Sequence, residues 1–136
     1  MNRLNRHVGI ELLAIFFAFG ASMCLLTIVL LVFPGSRLDS LWQLNPNAHA
    51  AFQSLGKMSI LLMLIVGSAC TLAAIGLAKN QLWGRNLALI ILAVNLIGDL
   101  INAFARHDLR TLIGLPIGGA MIFYLVQKRN WKLKNV

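Results

Sequence analysis

The chain has 136 residues, of which 59% are hydrophobic and only 12% charged, with a mean hydropathy of +0.79. Soluble domains carry about 25% charged residues, so this composition excludes an ordinary water-soluble globule. The net charge of +8 comes from 12 Lys and Arg against 4 Asp and Glu. Its placement follows membrane topology rather than any nucleic-acid-binding pattern, so nucleic acid is not an expected partner.

A spanning helix needs about 17–25 predominantly apolar residues. Four stretches qualify, at about residues 10–33, 57–78, 84–105 and 110–127. Backbone polar groups must be satisfied internally in lipid, so the spans are helices. The expected fold is all-α, a four-helix transmembrane bundle forming one integral membrane domain over residues 1–136. A short interfacial helical segment lies between spans one and two.

Span one starts after "MNRLNRH", which resembles a signal-peptide n-region. The apolar run that follows is too long for an h-region and reads as a full span. Glu11 sits at its mouth, four residues after His7, where an i,i+4 pair is possible. Ala14, Ala18 and Ser22 form a small-residue stripe suited to close helix approach. Cys24 and Cys70 have no metal or redox spacing and read as small apolar packing residues.

Pro34-Gly35 ends span one. In the connection that follows, Leu38, Leu41 and Trp42 share a helical face, with Trp42 as an interface anchor. Asn45-Pro46 is a helix start, Asn as N-cap and Pro at the first position. Gly56 is the expected bend into span two. His49 reads as an interfacial polar residue rather than a ligand.

"KNQLWG" makes spans two and three a hairpin, with Trp83 as a second anchor. "ARHDLR" does the same for spans three and four. Placing both termini on one side puts Arg3, Arg6, Lys79, Arg85, Lys128, Arg129, Lys132 and Lys134 there. Arg37, Lys57, Arg106 and Arg110 fall opposite. Eight against four favours cytoplasmic termini. The tail "QKRNWKLKN" suits anionic headgroups, anchored by Trp131.

Span three carries the chemistry. Asn95, Asp99, Asn102 and Arg106 advance by four, three and four residues and so share one helical face. Gly98 beside them is expected to admit another backbone. Arg110 opens span four across the turn. There, "GLPIGGA" supplies Gly114, Pro116, Gly118 and Gly119. Gly114 and Gly118 form a G-x-x-x-G packing face, and Pro116 frees one carbonyl. An ionised Asp in a span must be paired, protonated or wetted. Two readings stay open for this stripe: a polar clasp fixing helix packing, or a site for a proton, cation or small polar ligand.

The sequence holds no H-E-x-x-H, phosphate loop, G-x-S-x-G or metal-spaced Cys pair. No residue pattern argues for an enzyme, and no cofactor or metal can be assigned. The expected function is a non-enzymatic accessory or scaffold subunit, packing in the bilayer against a larger membrane complex or itself. The alternative is a small oligomeric transporter or channel using Asn95, Asp99 and Asn102.

The blocks "LWQLNPNAHAAFQSLG", "AAIGLAKNQLWGRNLAL", "NLIGDLINA" and "RTLIGLPIGG" resemble small four-helix bacterial integral membrane proteins without an established activity. The resemblance covers most of the chain after Pro34. It implies a four-helix fold and a bacterial inner membrane, or a related internal membrane, and brings no site residues with it.

The readings of Asp99 separate by substitution. A clasp predicts that Asp99→Asn keeps the packing while Asp99→Leu destabilises the bundle, read by thermal unfolding in detergent. A proton or cation path predicts that Asp99→Asn abolishes flux in proteoliposomes with the fold intact. Unchanged flux in that variant rules the path out.

Overall fold

The computed structural model describes the backbone of residues 3–106 and 112–134 and the side chains of residues 8–105 and 112–127. The described residues are entirely helical and turn. Helix α1 spans Arg3–Val32, a 3-10 helix spans Arg37–Leu44, and α2 spans Pro46–Leu55. Then come α3 (Lys57–Ala78), α4 (Leu82–Arg106) and α5 (Gly114–Lys134). Among the described residues, three helices are long and apolar enough to cross a membrane: α1 over Val8–Val32, α3 over Lys57–Ala78, and α4 over Leu82–Ala105.

The apolar part of α5 is shorter than the expected span over 110–127. It covers Gly114–Gln127, about 21 Å at 1.5 Å per residue, against a hydrocarbon core of about 30 Å. Its helix continues through the basic stretch to Lys134, and long cationic side chains in such a turn can reach the headgroups.

The connections follow their turn chemistry. Gly35 adopts φ +83°, and its N–H donates to Asp39 Oδ2 at 2.5 Å. Asn45 Oδ1 accepts from the Ala48 N–H at 3.1 Å, capping α2 with Pro46 at its first position. Gly56 (φ +55°) turns the chain from α2 into α3. Ser59 is fully buried, and its hydroxyl donates to the carbonyls of Phe52 and Gly56, pinning α2 to the start of α3. The segment holding Leu38 and Trp42 is a 3-10 helix rather than an α-helical face. Trp42 stacks on His49 (centroids 4.6 Å apart, planes 13°) and tilts against Phe52, so the ring is half-buried in its own connection.

α3 is the centre of the bundle, with α1 on one side and α4 on the other, and α5 packs on α4. The core draws Ile10, Leu13 and Phe17 from α1 and Cys70, Ala73 and Leu77 from α3. Ala88 and Leu92 come from α4, and Leu125 from α5. The face of α1 that meets α3 is therefore the Leu13–Phe17–Gly20–Cys24 stripe. Ala18 and Ser22 of the expected stripe are exposed. The reason is reciprocal fit of size: a Cβ on Gly67 would lie 3.1 Å from Cys24 Cβ, and one on Gly20 would lie 3.9 Å from Cys70 Sγ. Cys24 packs closely on Gly67, and Cys70 lies at ordinary contact distance from Gly20.

α3 and α4 approach most closely at Gly76 and Gly84. A Cβ on Gly76 would lie 2.5 Å from Gly84 Cα, and one on Gly84 would overlap the Gly76 backbone. Lipid tails are as apolar as leucine, so helix association in a membrane relies on such close packing. Only 11% of the most apolar stretch of α1 and of α4, and 22% of that of α3, is buried within the chain. Side chains such as Ile90, Val94, Ile97, Ile101 and Phe104 form one exposed apolar ridge along α4. Bilayer lipid is the solvent that matches this surface.

Gly76→Ala or Gly84→Ala should lower stability by about 1–3 kcal/mol through overpacking, measured by reversible unfolding in detergent. Gly98→Ala should be neutral or stabilising by up to about 1 kcal/mol from helix propensity, because a Cβ there meets nothing within 4 Å.

Candidate functional site

The stripe on α4 faces a partly open cavity of about 230 Å³ between α1, α4 and α5. Leu92, Asn95, Leu96 and Asp99 climb its α4 wall, four positions whose spacing keeps them on one side of the helix. Phe16 of α1 lies across from them. Gly114, Ile117, Gly118 and Met121 form the α5 side.

Asp99 is half-buried at the outer part of this cavity. A Cβ on Gly114 would sit 3.0 Å from Asp99 Oδ2, so the carboxylate rests against bare α5 backbone. A Cβ on Gly118 would lie 3.0 Å from Leu96 Cδ1. The G-x-x-x-G of α5 thus turns toward α4, and its glycines set the width of the cavity. Gly119 and Gly98 have open space where a Cβ would project, so Gly98 does not bring another backbone near within this chain. Pro116 is exposed.

Asn95 is exposed at the cavity wall. Asn102 is exposed one further turn outward and does not line the cavity. Among the described residues, no hydrogen bond joins Asn95, Asp99 and Asn102, and no ion pair reaches Asp99. The Arg106 side chain and the whole of Arg110 lie outside the described residues, as does the side chain of His7 that was matched to Glu11. Glu11 itself is exposed. Trp83 is exposed, with Nε1 donating to Gln81 Oε1 at 2.9 Å. Trp131's side chain lies outside the described residues.

The residue that sequence reasoning undervalued is Arg85. In a short turn it reads as a solvated cytoplasmic cation, yet only 3% of it is exposed. The Gly76–Gly84 contact draws the next residue beneath the α3–α4 turn. There Arg85 Nη2 donates to Asn80 Oδ1, while Arg85 Nε has no hydrogen-bond partner among the described residues. Asn80 is the single described non-glycine residue with positive φ, at +57°, and asparagine tolerates that region better than most residues. Tyr124 of α5 belongs to the same inner end: its ring and hydroxyl occupy the space that a side chain on Gly9 of α1 would fill. The available signal was the cluster Asn80, Gly84 and Arg85 within one tight turn.

A second groove of about 350 Å³ runs between α1 and α3 and is lined in part by Ser22, Ser68 and Thr71. Each of those hydroxyls donates to a carbonyl four residues earlier in its own helix. They are satisfied locally and offer little to a ligand. Among the described residues, no group of three or more His, Cys, Asp or Glu could hold a metal ion.

No protein-family model, curated protein or solved structure matches the chain. Of the resemblance read from the sequence, what stands is a small helical protein with three long apolar helices. Length, hydropathy and packing make it a small multi-pass membrane protein.

Asn80→Ala should destabilise the inner end by about 2 kcal/mol, through loss of the acceptor for a buried guanidinium and the cost of positive φ. Asn80→Gly should lose only the acceptor contribution. The ordering of thermal midpoints in detergent checks both.

Proposed function

We infer that the protein is a non-enzymatic membrane protein that works inside the bilayer, by binding a cationic or small polar group in the cleft between α1, α4 and α5. The observation that carries this reading is Asp99, a carboxylate on the wall of a largely apolar cavity with no partner among the described residues. A charged side chain within a span costs about 2.5–3.5 kcal/mol on insertion scales. A cation entering beside it offsets that cost. A single chain forms the cavity, so the site does not depend on an oligomeric lumen.

The clasp reading has less support. The close helix approaches come from glycines, at Gly76–Gly84 and at Gly114 and Gly118, rather than from a polar network. The accessory-subunit reading keeps one favouring observation. Asn102 is exposed on the same face but outside the cavity, and an amide facing lipid gains from a covering helix. The charge count favours cytoplasmic termini, which would put the Asp99 end of the cleft toward the opposite side of the membrane.

The test is saturable retention of radiolabelled monovalent ammonium ions by the full chain in proteoliposomes, together with the mass of the intact particle in mild detergent. Asp99→Asn should cut retention at least about tenfold with helicity and elution unchanged. Equal retention in the variant refutes the reading. No retention, with a larger assembly that dissociates on Asn102→Leu, refutes the cation reading and assigns the exposed Asn102 face to a partner helix.

A further inference from the structure

We propose that the Asp99 cavity is selective for lipophilic monocations, an ammonium group carrying a compact aromatic or branched apolar body. This rests on the cation-binding reading of the same cleft and adds the class of ligand.

Three features set the class. First, the polar groups are few and lie along one wall: Asp99 supplies one negative charge and Asn95 an amide, while Phe16, Leu92 and Met121 give apolar surface. A strongly hydrated metal cation or a polyamine would lose its water there without enough oxygens to replace it. A cation whose charge is spread over alkyl groups loses little hydration on entry. Second, the aromatic residue Phe16 is part of the cavity lining. Ring faces attract ammonium groups by about 0.5–2 kcal/mol, and ring edges pack against apolar bodies. Third, the size is restrictive. A cavity of about 150 Å³ takes benzene, so 230 Å³ admits on the order of ten non-hydrogen atoms by the same scale.

The glycines make the charged group reachable. Because Gly114 has no side chain, Asp99 Oδ2 stands against open backbone, with 3.0 Å to where a Cβ would be. A ligand in the cavity meets the carboxylate directly. Gly118, one turn on, also lines the cavity and packs against Leu96, whose Cδ1 lies 3.0 Å from where a Cβ would be.

The experiment uses the full chain in nanodiscs of neutral lipid and equilibrium dialysis of radiolabelled benzyltrimethylammonium. Tetramethylammonium and neopentylbenzene, the uncharged carbon isostere of the probe, serve as competitors. The expected result is saturable one-to-one binding, with both competitors weaker by at least about tenfold. Asp99→Asn should weaken probe binding by at least about tenfold. Gly118→Leu, which fills the cavity, should abolish it, with helicity and elution preserved in both variants.

Tetramethylammonium binding as tightly as the probe, and still depending on Asp99, overturns the lipophilic selectivity while leaving the cation site standing. Neopentylbenzene competing equally shows a merely greasy pocket and overturns the proposal. No binding of any ammonium ion, or binding indifferent to Asp99→Asn, overturns both this inference and the reading beneath it. If Asp99→Asn fails to fold, Gly118→Leu with an unchanged affinity for the probe is sufficient to overturn the assignment of the cavity.

Discussion

The backbone contact between Gly76 and Gly84 is the constraint on which the α3–α4 turn end of the bundle depends. In lipid no hydrophobic force pushes two apolar helices together, so they associate where their surfaces allow dense contact. Two glycines facing each other allow backbone against backbone. That contact fixes the α3–α4 hairpin, places Arg85 beneath the turn, and calls for an acceptor there, which Asn80 supplies from a left-handed conformation. The buried guanidinium is a consequence of the close approach. A looser hairpin would leave Arg85 in water.

The same device recurs with a different outcome at the other helix pairs. Gly9 lets the Tyr124 ring of α5 lie against α1, closing the inner end. Gly67 and Gly20 receive Cys24 and Cys70 and lock α1 to α3. Toward the opposite end, Gly114 and Gly118 face a carboxylate and a leucine rather than another glycine, and a cavity remains between α1, α4 and α5. The bundle is tight at one end and open at the other because large residues replace small ones across from the α5 glycines. The polar stripe of α4 lies in the open half, where its groups can be reached.

Much of the architecture was legible because each signal is local. Pro34-Gly35, Asn45-Pro46 and Gly56 act through their own backbone geometry, and all three breaks occur where turn chemistry put them. Span two, at 57–78, matches α3 to the residue, since Gly56 and the Lys79–Asn80 turn bound it. The fourth apolar stretch was less legible. Its helix is described from Gly114, and its described apolar part runs Gly114–Gln127. The stripe Asn95–Asp99–Asn102 followed from helical period alone. Which of its members would line a cavity did not, since that depends on where α1 and α5 stand.

The sequence by itself determined the solvent, the helices and their breaks. Hydropathy over about twenty residues is a one-dimensional property, and backbone satisfaction in lipid leaves one outcome for it. Tertiary structure alone decided which residues meet: Gly76 with Gly84 rather than Ala18 or Ser22 with a neighbour, and Gly114 with Asp99. It also decided that Arg85 is buried while Asn102 is exposed, the reverse of what their places in turn and span imply. The physical reason is that packing in lipid depends on complementary shape between two surfaces, and one strand of sequence carries only one surface of each pair.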